Sequence, residues 1–128
     1  MRARAAHVGD EVVEIEIAGT RDDLDKLAAL LRRGRGSLTC EANHSPAPYD
    51  AFFAKIAAKS DSEERARIRA DGGTVQMHGD RDSLLDLADV VEELADGPVG
   101  GHRHIEWYPN HQILAKGSVP AVFLRLAD

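Results

Sequence analysis

The chain has 128 residues, which is the size of one domain. Hydrophobic residues make up 43% and charged residues 30%, a balance typical of a globular fold and not of a disordered chain. The formal net charge of −6 argues against nucleic-acid binding, which needs a basic surface. One cysteine excludes an intramolecular disulfide, and no apolar run is long enough to predict a membrane span. We therefore expect a single-domain cytoplasmic protein with no nucleic-acid or membrane partner, whose residues 1–8 form a frayed terminus.

An internal repeat is the most informative pattern. Residues 16–31 align with residues 76–91, and six of the sixteen positions are identical, against about one expected by chance. The identical pairs are Gly19/Gly79, Arg21/Arg81, Asp22/Asp82, Leu24/Leu84, Leu27/Leu87 and Ala28/Ala88. The pattern predicts a duplication, with pseudo-repeats at about 11–70 and 74–127.

The first repeat is predicted to begin with a strand, a sharp turn and a helix. Apolar residues alternate with glutamates over 13–17, which is the period of a half-buried strand. The glycine at position 19 is placed at the turn. Thr20 and Asp23 resemble a helix-capping box, an apolar stripe follows at helical spacing, and Gly34 ends the helix.

The rest of this repeat is predicted to contain strands over 37–43 and 65–70. Between them, the apolar spacing over 49–59 predicts a helix. Residues 71–73 (Asp-Gly-Gly) are a good hairpin turn into the second repeat. Cys40 lies on the inward side of its strand, so we expect it in the core and not as a nucleophile.

The second repeat is predicted to follow the same plan. A strand over 74–78 leads to a helix with Asp80 as its N-cap, ended by Gly97 and Pro98. Two strands follow, over 102–108 and 119–127, joined by a loop. The fold class is therefore α+β, with duplicated βαββ units that form a mainly antiparallel sheet and two main helices on one face.

Helices on one side of a sheet leave its other face open. Strand alternation predicts the following residues there: Glu14, Glu16, Thr39, Glu41, Arg65, Arg67, Arg69, Thr74, Gln76, His78, His102, His104 and Glu106. This surface is either a solvated face with cross-strand ion pairs or a recognition face. The recognition hypothesis assigns partner binding to Arg67, Arg69, His78, His104, Glu106 and Tyr108.

The histidine-rich strand also permits a metal site. His102, His104 and Glu106 are spaced at i, i+2 and i+4, which places them on one strand face about 7 Å apart. With His111, they could bind zinc, and an open coordination position would allow metal-dependent hydrolysis. His-x-His is also common on exposed strands, so a protein without any cofactor is the other expectation.

Two charged segments have structural and functional interpretations. The basic run over 32–36 either stabilises the negative end of the helix dipole or contacts a phosphate or nucleic acid. The acidic stretch over 80–96 is either a solvated helix face or a surface that docks on a basic partner. No glycine-rich phosphate loop or nucleophile elbow occurs, so the sequence favours a binding protein over an enzyme.

The second repeat also resembles a known family. The segment His-Ile-Glu-Trp-Tyr-Pro over 104–109, followed by His111, Ser118 and Pro120, is similar to small actinobacterial immunity proteins of polymorphic toxin systems, as is 67–73. The resemblance covers residues 64–128. It implies an α+β protein that binds and neutralises a cognate toxin without catalysis, and it carries over no residue roles.

Three hypotheses follow for the function. The first is an immunity-type inhibitor, for which an acidic surface would suit a basic toxin domain. The second is a divalent-metal-binding protein or hydrolase. The third is a homodimer that buries its two open sheet faces against each other.

Overall fold

The computed structural model describes residues 1–41 and 51–128. Within them, the chain forms nine strands and two helices. In chain order these are β1 (Arg2–Val8), β2 (Glu11–Gly19), α1 (Arg21–Arg33), β3 (Arg35–Thr39), β4 (Ala51–Phe52), β5 (Lys55–Lys59), β6 (Arg67–Asp71), β7 (Thr74–His78), α2 (Arg81–Ala95), β8 (His102–Ile105) and β9 (Ala121–Arg125). The α+β class predicted from the sequence is confirmed.

The strands divide between two sheets and do not form one. A five-stranded sheet has the order β4-β1-β2-β9-β8, and a four-stranded sheet has the order β3-β5-β7-β6. Neighbouring strands are antiparallel except β2 with β9 and β5 with β7. Each parallel pair joins a strand of one half of the chain to a strand of the other. The inner faces of both sheets and both helices share one hydrophobic core.

The predicted frayed N-terminus is wrong. Residues 2–8 form β1, which pairs with β2 along its length and with β4 at its outer edge. Ala3 and Ala5 are fully buried, and Arg4 between them is also buried. The alternation of alanine and arginine is a period-two pattern, but alanine is a weak hydrophobic signal, so the strand was missed.

The helix predicted over 49–59 is also wrong for the residues described. Positions 42–50, which include the end of the predicted strand 37–43, lie outside them. Ala51–Phe52 and Lys55–Lys59 are β4 and β5. β5 lies between β3 and β7 and buries Ile56 and Ala58 while its lysines face outward. Period-two alternation therefore prevails here over the helical spacing of three apolar residues.

The strand predicted over 65–70 is β6, which begins the second hairpin. It pairs antiparallel with β7 through the predicted turn at residues 71–73. By pairing, each half begins with a hairpin and a helix, which adds one strand to the βαββ unit. The second half then has two strands, whereas the first half has β3, β5 and the two-residue β4 between them. The duplication itself stays a prediction.

The predicted N-caps of both helices and the glycine that ends α1 are confirmed, whereas the C-cap of α2 is Asp96 and not Gly97. Thr20 Oγ1 accepts from the Asp23 amide at 3.2 Å, and an Asp23 carboxylate oxygen accepts from the Thr20 amide at 3.0 Å. Gly34 adopts the left-handed conformation after α1, with φ of 71°. The second helix is capped by Asp80 and ends at Ala95.

The paired glycines at positions 19 and 79 have a different role from the one predicted. Neither has a positive φ. Instead, a Cβ on Gly19 would lie 2.6 Å from Asp23 Cβ, and one on Gly79 would lie 2.6 Å from Ala66 Cα. These glycines are needed for close packing and not for a left-handed turn.

The last part of the chain largely follows the prediction. β9 lies within the predicted 119–127 and buries Phe123. β8 ends at Ile105, three residues earlier than predicted, and Tyr108 is exposed. A tight turn closes here, because the His111 amide donates to the Tyr108 carbonyl at 3.0 Å. Neither helix in the described part of the chain is long and apolar enough to cross a membrane.

Candidate functional site

The outer face of the four-stranded sheet carries a cluster of positive side chains. The register places Arg35 opposite Lys59, Lys59 opposite His78, and His78 opposite Arg67, in one row across all four strands. The next rows add Arg69 and Lys55. We call this surface the basic face and define it by its five cations, which are Arg35, Lys55, Lys59, Arg67 and Arg69.

The basic face is open to solvent. Four of its five cations are exposed and Arg67 is half-buried, while the inner residues of the same strands, such as Ile68 and Met77, are completely buried. Among the twelve outward positions of these described strands, Asp71 is the one acidic residue. A chain with a net charge of −6 therefore concentrates positive charge on one sheet face.

Two of the five cations have acidic neighbours. Lys59 Nζ lies 3.1 Å from Asp61, and Arg67 contacts Glu64 and donates to the Lys116 carbonyl at 2.8 Å. Within residues 1–41 and 51–128, the other three form no ion pair: Arg35, Lys55 and Arg69. They are available to an external partner.

The second charged surface is on α2. Six acidic residues on or next to the helix are exposed: Asp82, Asp86, Asp89, Glu92, Glu93 and Asp96. We call this surface the acidic side. α2 has no basic residue in its last turn, where the helix dipole disfavours carboxylates. Part of this charge is neutralised from α1, because Arg32 contacts Asp89 and Glu92, which raises the pKa of Arg32.

The histidine strand β8 lies at the edge of the five-stranded sheet. His102 and His104 face outward and are exposed. His104, Glu106, Tyr108 and His111 line a groove of about 550 Å³ beside β8. A neighbouring groove of about 680 Å³ between β8 and the end of α2 is lined by His102.

The structure does not assemble the predicted zinc ligands into one set. In the described part of the chain, no three His, Cys, Asp or Glu side chains converge as metal ligands. Because β8 ends at Ile105, Glu106 lies outside the strand alternation that would align it with His102 and His104. His111 Nδ1 accepts from the amides of Ile113 and Leu114, at 3.0 and 2.9 Å.

His111 has a structural role in the loop. Its ring is buried and packs against Tyr108, with ring centroids 4.6 Å apart. Burial lowers the pKa of His111, and the nearby positive charge of Arg65 lowers it further. Protonation at Nδ1 would also remove the acceptor of two amide hydrogen bonds. The neutral imidazole therefore stabilises this loop.

The residues predicted to bind a partner fall in two places. Arg67, Arg69 and His78 lie together on the outer face of the four-stranded sheet, whereas His104, Glu106 and Tyr108 lie beside β8. Thr39, Thr74 and Gln76 were also predicted to face outward, and the strand register places them there. Glu14 is half-buried on β2, and Glu41 is exposed beyond the end of β3.

Two residues predicted on the open face are engaged elsewhere. Glu16 is 7% exposed, and its carboxylate accepts from Arg4 at 2.6 Å and Arg2 at 3.4 Å. It is part of an internal ion pair and not a recognition group. Arg65 precedes β6, and its guanidinium donates to the His111 carbonyl.

The sequence reasoning missed three of the five cations of the basic face. Arg35 was assigned to the end of α1, and Lys55 and Lys59 fell in the predicted helix. The alternation Lys-Ile-Ala-Ala-Lys, with the buried Ile56 and Ala58 inside it, could have indicated a strand with outward lysines.

Comparison with known families identifies the chain. The model of the family Immunity protein 32 matches residues 14–41 and 74–126, more than half of the sequence. The chain belongs to this family. The matched segments of this immunity protein include most of β2 with α1 and β3 in the first half, and β7, α2, β8 and β9 in the second. No curated protein and no solved structure matches it.

Proposed function

We propose that this chain neutralises a toxin protein by binding it stoichiometrically, without catalysis. The match to the Immunity protein 32 family carries the proposal, because it extends over both halves of the chain. Membership in an immunity family implies a protein toxin as the partner. We place this neutralisation in the cytoplasm, as the sequence predicts.

The surface supports a binding role. The basic face is carried by four strands joined by continuous ladders, so its backbone is ordered before any partner arrives. Preorganisation of this kind lowers the entropy cost of association. The outward residues form a broad face, which suits a protein surface better than a small molecule.

The two charged surfaces suit toxin domains of opposite charge. A basic toxin domain would meet the acidic side of α2, and an acidic one would meet the basic face. Homodimerisation through the basic face would bring like charges together, so any dimer is expected to use another surface.

Titration against a toxin tests the proposal. The toxin domain encoded beside the gene for this chain is purified, and its activity is measured at increasing ratios of the immunity protein. We expect inhibition to rise linearly and end near one chain per toxin, with a complex of that stoichiometry in light scattering. Complete inhibition at a small fraction of the toxin concentration would indicate catalysis and refute the proposal.

Growth provides the matching test in cells. Co-expression with the same toxin domain should restore growth, while expression of an unrelated toxin should remain lethal. Absence of rescue, together with absence of complex, would also refute the proposal. Light scattering of the chain alone at micromolar concentration measures the oligomeric state in the same series.

A further inference from the structure

We propose that the basic face is the surface that docks the toxin, and that the toxin presents an acidic patch to it. This inference rests on the proposed function. The surface is the basic face of this chain, and the matching surface of the toxin is a cluster of Asp and Glu side chains. Support for this inference comes in four parts.

The first part is the electrostatic cost of the arrangement. Arg35 and Lys59 are direct cross-strand partners, and like charges at such positions destabilise a sheet. Lys59, His78 and Arg67 continue the row without an acidic residue between them. A sheet face that contacts only water would be more stable if positive and negative side chains alternated across its strands. The positive row is therefore explained better by a partner than by folding.

The second part is the availability of the charges. Arg35, Lys55 and Arg69 are exposed and form no ion pair with any residue of the described ranges 1–41 and 51–128. On α1, by contrast, Arg21, Lys26 and Arg32 all have carboxylate partners. These three helix cations are neutralised within the molecule, whereas three of the five cations of the basic face are left for an external anion.

The third part is size. Neighbouring strands lie about 4.8 Å apart and outward residues repeat about every 7 Å along a strand, so the face measures roughly 14 by 14 Å. A stable protein interface buries about 800 Å² on each partner. At roughly 200 Å², about a quarter of that area, the basic face can form only the centre of the interface, and the toxin must also contact residues around it.

The fourth part concerns specificity. Lys55, Lys59, Arg67 and Arg69 all lie in residues 42–73, between the two segments that the family model matches. An inhibitor of one particular toxin needs contacts that other members do not share. The matched segments contain both helices, and the unmatched segment supplies four of the five cations.

Charge reversal at two exposed positions tests the inference. The variant Lys55→Glu/Arg69→Glu changes the net charge by −4 on the basic face. The matched control, Lys26→Glu/Arg103→Glu, makes the same change on α1 and β8, at exposed positions. A third variant, Asp86→Lys/Glu93→Lys, reverses charge on the acidic side of α2. Equal melting temperatures show that the variants fold, and Lys55→Gln/Arg69→Gln replaces the first variant if it does not.

Affinity for the catalytically inactivated toxin domain is the measurement. We expect the basic-face variant to bind about 100-fold more weakly, or about tenfold for each reversed charge, and the matched control to change less than about threefold. Wild-type affinity should also fall as salt is raised, because exposed charges are screened.

Each contrary result has a distinct meaning. If the wild-type chain inhibits the toxin and the basic-face variant binds as tightly as the control, the docking surface is wrong and the proposed function stands. If the variant on the acidic side loses binding instead, the partner is basic. If the wild-type chain neither binds nor inhibits the toxin, both proposals fail. Tight, variant-sensitive binding of a DNA or RNA duplex at physiological salt would reassign the face to nucleic acid.

Discussion

Replacement of Gly79 by alanine measures how closely β7 approaches the chain beside it. A Cβ at this position would lie 2.6 Å from Ala66 Cα, 2.8 Å from Ala66 N and 3.0 Å from Ala66 Cβ. Ala66 is fully buried and is held by two backbone hydrogen bonds, to Ile113 and from Ala115, at 3.0 and 2.8 Å. Because the obstacle is backbone, it cannot move aside as a flexible side chain would.

The expected cost follows from this geometry. Overpacking a buried site costs about 1–3 kcal/mol, and the fixed position of Ala66 favours the upper end. Alanine also restricts the unfolded chain, which returns about 0.4–1 kcal/mol. We therefore expect Gly79→Ala to lower the free energy of unfolding by about 2 kcal/mol, equivalent to roughly 8 °C in melting temperature for a domain of this size.

Gly73 provides the matched control. It lies in the turn before β7, whereas Gly79 follows that strand. It has no positive φ, and a Cβ there would meet Ala54 Cβ at an ordinary 3.9 Å. Gly73→Ala makes the same change in the unfolded chain, so urea unfolding of the two variants isolates the clash. We expect Gly73→Ala to match or slightly exceed wild-type stability. Equal midpoints and slopes for both variants would refute the close-packing explanation.

Three further predictions concern single side chains. In the folded chain the pKa of His111 is below its ordinary value of 6.5, so the free energy of unfolding declines as the unfolded chain takes up protons below about pH 6.5. The variant His111→Asn keeps a hydrogen-bond acceptor, and urea titrations should show that its free energy of unfolding falls less between pH 7 and 5. An equal fall in the variant and the wild type would contradict this role. Cys40 is buried with a raised thiol pKa, so a thiol reagent should label it only after unfolding, and rapid labelling of the native chain would place it on the surface. Protein purified without chelator should carry no stoichiometric metal, whereas one zinc per chain that is lost in His104→Ala would restore the zinc hypothesis.

The repeat and the capping residues allowed much of the fold to be predicted. Thr20 and Asp80 begin helices where expected, and the apolar stripes of both helices are buried. These signals are local, since a cap acts within one turn and an amphipathic stripe within a few turns. The hairpin at residues 71–73 was predicted for the same reason.

The division into two sheets could not be predicted from local signals. It depends on parallel contacts between β2 and β9, and between β5 and β7, which join residues far apart in the chain. β1 was missed because its inner residues, Ala3 and Ala5, are small. The basic face was missed for another reason: its cations line up only if β5 is a strand paired on both sides, and a helix was predicted there.

The two halves of the predicted partner site illustrate the same limit. Strand parity correctly directed Arg69 and His104 outward, but parity does not say to which sheet a strand belongs. Once the sheets are separated, Arg67 and Arg69 lie on the same face as the lysines of β5, and His104 lines the groove beside β8. The topology thus converts one mixed surface into a positive sheet face and a histidine-lined edge. The negative net charge of the chain favoured a basic partner, but net charge describes the whole molecule. Recognition depends on the charge of the face that makes contact.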